Sequence, residues 1–73
     1  MYTLTVKAHI DIEKSWSYID LQYACDMFTV ATKCVDCAYA TIIDAMTGEI
    51  IKEWHYMNGL TIYTDMGEIH IDI

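Results

Sequence analysis

The sequence contains no arginine, and its four basic side chains lie singly along the chain: Lys7, Lys14, Lys33 and Lys52. Proteins bind nucleic-acid phosphates through arginine forks and clusters of basic charge. Eleven carboxylates instead give this chain a net charge of −7. Direct binding of DNA or RNA is therefore disfavoured. The acidic balance favours solubility or attraction to a basic surface on another protein.

Proline is absent, and the chain has only three glycines, Gly48, Gly59 and Gly67. Each glycine is predicted to lie in a turn between strands, and no glycine-rich loop precedes the predicted helix. This pattern excludes the phosphate-binding loops of nucleotide-binding proteins.

Long apolar runs are also absent. The first ten residues, MYTLTVKAHI, have neither the basic start nor the uninterrupted apolar core of a signal peptide. No segment approaches the roughly 20 apolar residues that a membrane-spanning helix needs. We therefore expect a cytoplasmic protein without a membrane partner.

The three cysteines are an odd number, which argues against a disulfide framework. Cys34 and Cys37 form a Cys-x-x-Cys motif. In redox proteins this motif lies at a helix N-terminus, where the dipole lowers the thiol pKa. Here it is predicted at a helix C-terminus beside Asp36, where both influences oppose ionisation. Structural zinc needs four ligands, and Cys25 lies about half a turn around the helix from Cys34. We expect two structural cysteines, no metal and no cofactor.

The histidines give no clear sign of catalysis. His9 and His70 fall in the polar register of alternating strands, and they would be neighbours if the first and last strands paired. With His55 they could converge on a metal, although nothing in their spacing requires it. No nucleophile lies close to them in sequence, and a chain this short has little room for a dry active site. We therefore predict that the protein is not an enzyme.

Residues 1–13 alternate with a period of two, which predicts one long first strand. Its apolar face would carry Tyr2, Leu4, Val6, Ala8, Ile10 and Ile12, and its polar face Thr3, Thr5, Lys7, His9, Asp11 and Glu13. A helix is predicted next, with Ser17 and Asp20 as a capping box and Ser15 as a competing cap.

The predicted helix is amphipathic. Its polar positions fall within an arc of about 80°: Gln22, Asp26, Thr29, Lys33 and Asp36. The opposite side carries Leu21, Ala24, Met27, Phe28, Ala31 and Val35. Small residues at Ala24 and Ala31 would let this helix approach a sheet closely.

Four further strands are predicted in AYATIID, EIIKEWHYM, LTIYT and EIHIDI. Asn58-Gly59 predicts a two-residue type I′ hairpin, and Ile69, Ile71 and Ile73 would form the apolar face of the last strand. The predicted order is β-α-β-β-β-β. We expect a single small α+β domain over residues 1–73, with one amphipathic helix packed on one face of a mostly antiparallel, twisted sheet.

The chain is 55% hydrophobic and includes six tyrosines and two tryptophans. Soluble domains average about 45–50% apolar residues, and a domain this small buries only about 60% of its unfolded surface. Phe28 is assigned to the core. The other aromatic residues either cover the small sheet or form an exposed patch of the kind that interface cores contain.

These features predict a non-enzymatic, acidic protein-binding module. In size and charge the chain resembles small acidic proteins of phages and mobile elements, some anti-CRISPR proteins among them. This resemblance of type implies an inhibitor whose carboxylates mimic nucleic-acid charge on a basic target, but it carries over no functional residue. The predicted partner-binding residues are Asp26, Asp36, Asp44, Glu49, Glu53, Tyr39, Trp54, Tyr56 and Tyr63.

The alternative prediction is a self-associating structural or accessory domain. It would form a homodimer through its open sheet face or an edge strand. The first and last strands lack proline, and their charges protect an exposed edge only in part.

Overall fold

A computed structural model describes residues 1–10 and 12–71. These residues form β1 (Tyr2–Ala8), β2 (Lys14–Tyr18), α1 (Leu21–Thr32), β3 (Cys37–Asp44), β4 (Ile50–His55), β5 (Gly59–Thr64) and β6 (Gly67–Ile71). The six strands form one sheet in the order β2-β1-β3-β4-β5-β6, and every neighbouring pair is antiparallel. The structure thus confirms the predicted α+β fold, with one helix on an antiparallel sheet.

The segment predicted as one long first strand is instead a hairpin. β1 ends at Ala8, and β2 returns beside it so that Leu4 lies opposite Trp16. Ile10 and Ile12 are 89% and 73% exposed, so their predicted burial is wrong. Asp11 lies outside the described residues. A straight strand of that length would span about 43 Å, longer than the 31 Å of the whole domain, and its end would have no strand to pair with.

The start of α1 also differs from the prediction. Asp20 is the N-cap, and its carboxylate accepts a hydrogen bond from the backbone N–H of Gln22 at 3.0 Å. Ser15 and Ser17 lie in β2, so neither of them caps the helix. The alternating pattern KSWSY pairs with β1 and thereby removes both serines from the helix terminus.

α1 ends earlier in the sequence than the predicted polar positions, which extended to Asp36, suggested. Lys33 is the C-cap, so Asp36 lies beyond the helix, and Val35 is 92% exposed rather than packed. Near this end the hydroxyl of Thr32 bonds the carbonyl of Thr29. Such side-chain bonds and β-branched residues weaken a helix terminus. The predicted burial of the helix centre is correct.

The core lies between α1 and the strands β1 and β3. Its buried residues are Leu4, Ala24, Phe28, Cys37, Ala40 and Ile42. The fully buried alanines Ala24 and Ala40 allow close approach of helix and sheet. In the part of the chain that the structure describes, no helix is long and apolar enough to cross a membrane.

The helix leaves the far half of its own side of the sheet uncovered. α1 packs on β3, β1 and β2. A helix is about 10 Å wide, whereas six strands spaced about 4.8 Å apart span roughly 24 Å. Ile69 and Ile71, which were predicted on an apolar face, are consequently 52% and 51% exposed. Ile73 lies outside the described residues.

Turns occur at each predicted glycine. Gly48, Gly59 and Gly67 all have positive φ, as the turn prediction requires. The β4–β5 loop is not a two-residue type I′ turn, however, because His55 pairs with Gly59 and Asn58 has a negative φ. Instead, the N–H of Asn58 bonds the carbonyl of His55, and Gly59 closes a three-residue loop.

Candidate functional site

The face of the sheet opposite α1 carries a straight row of polar side chains. Each member lies directly across from the next in the sheet register, one from each strand: Ser15, Thr5, Thr41, Glu53, Thr61 and His70. We call this set the central polar row and this side of the sheet the open face. Successive side chains of a strand point to opposite faces of the sheet. Leu4 and Ile42 point to the helix, so the adjacent residues Thr5 and Thr41 point to the open face.

Hydrogen bonds hold both ends of the central polar row. The hydroxyls of Thr5 and Ser15 are 2.9 Å apart. At the other end, Thr61 Oγ1 lies 2.9 Å from His70 Nδ1. Pairs of this kind between neighbouring strands stabilise a sheet and restrict the rotamers of its side chains. The two side chains within each end pair are thus ordered relative to each other.

A half-buried carboxylate occupies the middle of the row. Glu53 Oε1 accepts a hydrogen bond of 2.6 Å from the hydroxyl of Tyr63 on the adjacent strand. This bond, followed by burial and the charges of Glu53 and Glu68, raises the pKa of Tyr63 to about 12. Tyr63 therefore stays neutral over the physiological range. It orients the carboxylate without neutralising its charge.

A second tyrosine–glutamate pair lies on the same face. The hydroxyl of Tyr39 donates to the carboxylate of Glu13, and this contact raises the pKa of Tyr39. An ionised carboxylate has about four acceptor sites, so one hydroxyl uses only part of its capacity. Both pairs thus keep the ability to accept hydrogen bonds from a cationic group.

The open face is concave between β3 and β6. A depression of about 460 Å³ is lined there by Tyr39, Thr41, Glu53, His55, Thr61 and His70, among others. Its floor combines one carboxylate with hydroxyl and imidazole groups. It is a shallow recess in a sheet surface, suited to an extended chain or a protruding side chain.

An aromatic cluster adjoins this recess at His55. Tyr56 packs edge-on against His9 with ring centroids 4.4 Å apart, and it stacks on His55 at 4.9 Å. His9 and His70 are not neighbours, because β1 and β6 lie on opposite sides of β3, β4 and β5. The predicted proximity of the two histidines required the first and last strands to pair, and these strands do not pair.

Three of the predicted partner-binding residues share the open face. Tyr39, Glu53 and Tyr63 lie in its register, and Tyr56 lies in the adjoining turn. Trp54 points to the other side, where it packs half-buried against the core. The aromatic residues therefore divide between the two sides of the sheet.

The remaining predicted carboxylates lie on separate surfaces. Asp26 is exposed on α1 and accepts a 3.0 Å hydrogen bond from Gln22, while Asp36 lies in the turn before β3. Asp44 is the last residue of β3 and accepts a bond from the N–H of Met46, while Glu49 lies in the following β3–β4 turn. The structure does not bring these four carboxylates together with Glu53.

The predicted partner-binding residues did not include Glu13, Thr41, Thr61, Glu68 and His70, although His70 was considered with His9 and His55 as a possible site. All five occupy polar positions of alternating segments, which was a visible signal. Their alignment depends on strand order and register, and the alternation of polar and apolar residues within a single strand specifies neither.

The cysteines do not form a site with the histidines in the described part of the chain. No group of three or more His, Cys, Asp or Glu side chains there is arranged to hold a metal ion. Cys34 is exposed, whereas Cys37 is buried and its thiol contacts the carbonyl of Tyr39 at 3.5 Å. Burial and the neighbouring Cys34 raise the pKa of Cys37, which favours the unreactive thiol.

Comparisons with protein-family models, curated proteins and solved structures find no match to this chain.

Proposed function

We propose that this protein is a non-enzymatic module that binds a basic segment of another protein on its open face. The observation that carries the proposal is Glu53, a half-buried carboxylate at the centre of the central polar row whose hydrogen bond comes from the neutral hydroxyl of Tyr63. Burying a charge is unfavourable unless it gains a partner. A lysine or arginine side chain from another protein supplies such a partner.

The surroundings of Glu53 support a cationic ligand. Glu13 and Glu68 add two carboxylates on the same face, beside Tyr39 and Tyr63 respectively. Tyrosine rings and hydroxyls recognise lysine and arginine through cation–π contacts and hydrogen bonds. The whole chain carries a net charge of −7, which would accelerate the approach of a basic partner.

A titration with a short synthetic peptide rich in lysine and arginine tests this proposal. Backbone NMR shifts should change at Thr41, Glu53 and Thr61, and the affinity should fall as salt is added. Glu53→Gln should weaken binding about tenfold, because a charge-assisted hydrogen bond is lost. Asp26→Asn, on the helix, removes the same charge elsewhere and should leave binding nearly unchanged.

Two results would contradict the proposal. One is a set of shifts confined to α1, and the other is equal weakening by Glu53→Gln and Asp26→Asn. The second would indicate that only net charge matters.

The inhibitor form of this proposal, mimicry of nucleic-acid charge, has narrower support. DNA carries one charge per about 1.7 Å of helix axis, and a mimic needs carboxylates in a comparable array. Support comes from the net charge and from the three glutamates of the open face. Competition with duplex DNA for a basic DNA-binding protein tests it, and Glu53→Gln should weaken that competition.

A cytoplasmic site of action belongs to the same proposal. Cys25, Cys34 and Cys37 are all free thiols. Free thiols persist in a reducing compartment, whereas disulfides form in oxidising ones.

A further inference from the structure

The strand β2 forms one edge of the sheet. It stands first in the strand order, and four of its five residues are exposed. Edge strands are commonly protected by proline, by charged side chains or by a covering element. β2 has no proline, and its single charged residue, Lys14, is at its start. Within the residues that the structure describes, no strand lies on its outer side.

The backbone bonds of β1 show which groups of β2 point outward. The carbonyl of Met1 accepts a bond from the residue that follows β3, so it points to β3. Hydrogen-bonding groups of successive residues alternate between the two sides of a strand. Leu4, three residues later, therefore bonds toward β2, where it lies opposite Trp16. It follows that Trp16 bonds to β1, while the N–H and C=O groups of Ser15 and Ser17 point away from the sheet.

The sequence of β2, KSWSY, is nearly symmetric about Trp16. If a second copy runs antiparallel about a twofold axis through Trp16, Ser15 lies opposite the partner's Ser17 and Ser17 lies opposite the partner's Ser15. These are the positions whose backbone groups point outward. Lys14 lies opposite the partner's Tyr18, so no like charges face each other. β2 is thus complementary to itself.

We propose that two copies of this chain pair β2 with β2 about this axis, so that their sheets join into one. A second copy is the occupant that the symmetry of β2 selects. A contact of the same patch on both subunits closes as a dimer. The proposal goes beyond binding of a basic segment on the open face and does not depend on it.

The length of β2 selects this register among those that the backbone allows. Shifts by two residues also keep the outward groups of both strands facing each other. The register centred on Trp16 pairs all five residues of β2 with the partner's β2, whereas either shift pairs only three, residues 14–16 or 16–18. Cross-strand pairs are the unit of sheet stabilisation. The longest overlap is therefore the most stable.

Exposed apolar side chains lie beside this edge on the helix side of the sheet. Trp16 and, on α1, Val30 are both exposed. They line a groove of about 240 Å³ together with Leu4 and Met27, among others. In the proposed register Trp16 lies opposite the partner's Trp16, in a pair without direct backbone bonds, where side chains come closest. Contact between the two indole rings is favourable and covers apolar surface.

The charge distribution permits two acidic copies to meet here. Each copy carries a net charge of −7. The groove between α1 and β2 is nevertheless lined by uncharged side chains in the described part of the chain. Repulsion between the copies therefore acts over a distance, where salt screens it.

Sedimentation equilibrium on wild-type protein and on two lysine variants tests this interface. Wild type should be a dimer whose affinity holds or rises as salt is added. Trp16→Lys places two lysines opposite each other at the axis and should weaken the dimer about tenfold or more. Ile69→Lys is the matched control, because it changes an exposed isoleucine of the opposite edge strand and should leave the dimer intact.

A proline substitution separates the interface from the fold. Ser17→Pro removes an outward N–H from each copy and none that bonds β1. The variant should therefore be a folded monomer at concentrations where wild type is a dimer. Trp16→Pro is the matched control, because it removes a bond to β1 and should destabilise the monomer itself.

Nuclear Overhauser contacts between α-protons report the register. Lys14 and Tyr18 are separated by about 14 Å along one strand, which is too far for such a contact within one chain. In the proposed dimer they lie directly opposite each other in a pair without direct backbone bonds, where α-protons are close. The contact should appear in wild type and disappear in Ser17→Pro.

The proposal is overturned by a mass of one chain at all concentrations, or by a dimer that Ser17→Pro leaves intact. A dimer without the α-proton contact between Lys14 and Tyr18 also overturns it. Binding of the basic peptide through Glu53 can be measured on the Ser17→Pro variant, and it should weaken as salt is added. Failure of one proposal is therefore distinguishable from failure of the other.

Discussion

The hydrogen bond between Tyr63 and Glu53 links the ionisation of a tyrosine to a carboxylate at the centre of the open face. In the folded protein the pKa of Tyr63 is about 12, whereas a free tyrosine titrates near 10. The contact therefore contributes stability that is fully present below about pH 10. That contribution is lost as the pH rises from about 10 to about 12.

We expect Glu53→Gln to lower the pKa of Tyr63 toward its ordinary range, because a neutral amide accepts more weakly and adds no repulsive charge. Ultraviolet titration of the tyrosines measures this, and Tyr63→Phe identifies the step that belongs to Tyr63. Glu13→Gln is the control, since it should shift Tyr39 and leave the Tyr63 step in place. An unchanged alkaline step in Glu53→Gln would show that the hydrogen bond is not the cause.

The Cys-x-x-Cys motif contains one accessible and one inaccessible thiol. Cys34 is exposed in the turn after α1, while Cys37 is buried and has a raised pKa. We expect a thiol-alkylating reagent to modify Cys34 in native protein and to modify Cys37 only after unfolding, because the reactive species is an accessible thiolate. Peptide mapping by mass spectrometry checks this. Equal native rates at both positions would contradict the burial of Cys37.

At the scale of single elements, α1 depends on its cap and on a small residue in its packed face. Asp20 satisfies an N–H of the first turn, and Ala24 is fully buried in the same core as Ala40 of β3. The same helix covers only part of the sheet. Its contacts therefore fix the positions of β1, β2 and β3, whereas the main contacts of β6 are those with β5.

We predict that Asp20→Ala lowers the free energy of unfolding by about 1 kcal/mol, the usual effect of losing an N-cap. Ser17→Ala is the matched control, because Ser17 lies in β2 rather than at the helix terminus. It should change stability by less than about 0.5 kcal/mol. Denaturant unfolding monitored by circular dichroism measures both. A larger loss of stability in Ser17→Ala than in Asp20→Ala would contradict this assignment and support the predicted capping box with Ser17 as the cap.

Viewed as a whole molecule, the protein has a well-packed half and an exposed half. β3 is bordered by β1 and β4 and packs under α1, whereas β6, within the part of the chain that the structure describes, has one neighbouring strand and no buried residue. Local opening is easiest where few apolar contacts must be broken. The two halves should therefore differ in local stability.

We expect amide hydrogen exchange in dilute protein to be slowest in β3 and fastest among the hydrogen-bonded amides in β6. Two-dimensional NMR resolves the relevant pair, Ile42 in β3 and Ile69 in β6. Both are isoleucines of the same sheet. A difference between their amide exchange rates therefore reports the difference in packing around the two strands. Equal protection of the two amides would mean that the sheet opens only as one cooperative unit.

Local patterns were sufficient to predict most elements of this fold. The alternation of AYATIID placed Ala40 and Ile42 in the core, and the helical period placed Ala24 and Phe28 there. Positive φ at Gly48 was also correctly predicted. These features depend on neighbouring residues and on side-chain size, which a sequence displays directly.

The same patterns failed where pairing partners decided the outcome. Alternation over residues 1–13 is compatible with one strand or with two, and only the length of the sheet selects two. Ser17 matches a cap in isolation, yet pairing with Thr3 draws it into β2. The candidate site was predicted in part: Tyr39, Glu53 and Tyr63 were identified, but not Glu13, which reaches Tyr39 from 26 residues away.

The sequence by itself determined that this chain is small and acidic, that one amphipathic helix packs on an antiparallel sheet, and which faces of its central elements are buried. Only the tertiary structure decided that Thr41, Glu53 and Thr61 stand in line, that Asp26 and Asp44 lie elsewhere, and that β6 comes last in the strand order. The physical reason is that burial follows from local periodicity, whereas strand order and register arise from contacts between residues distant along the chain.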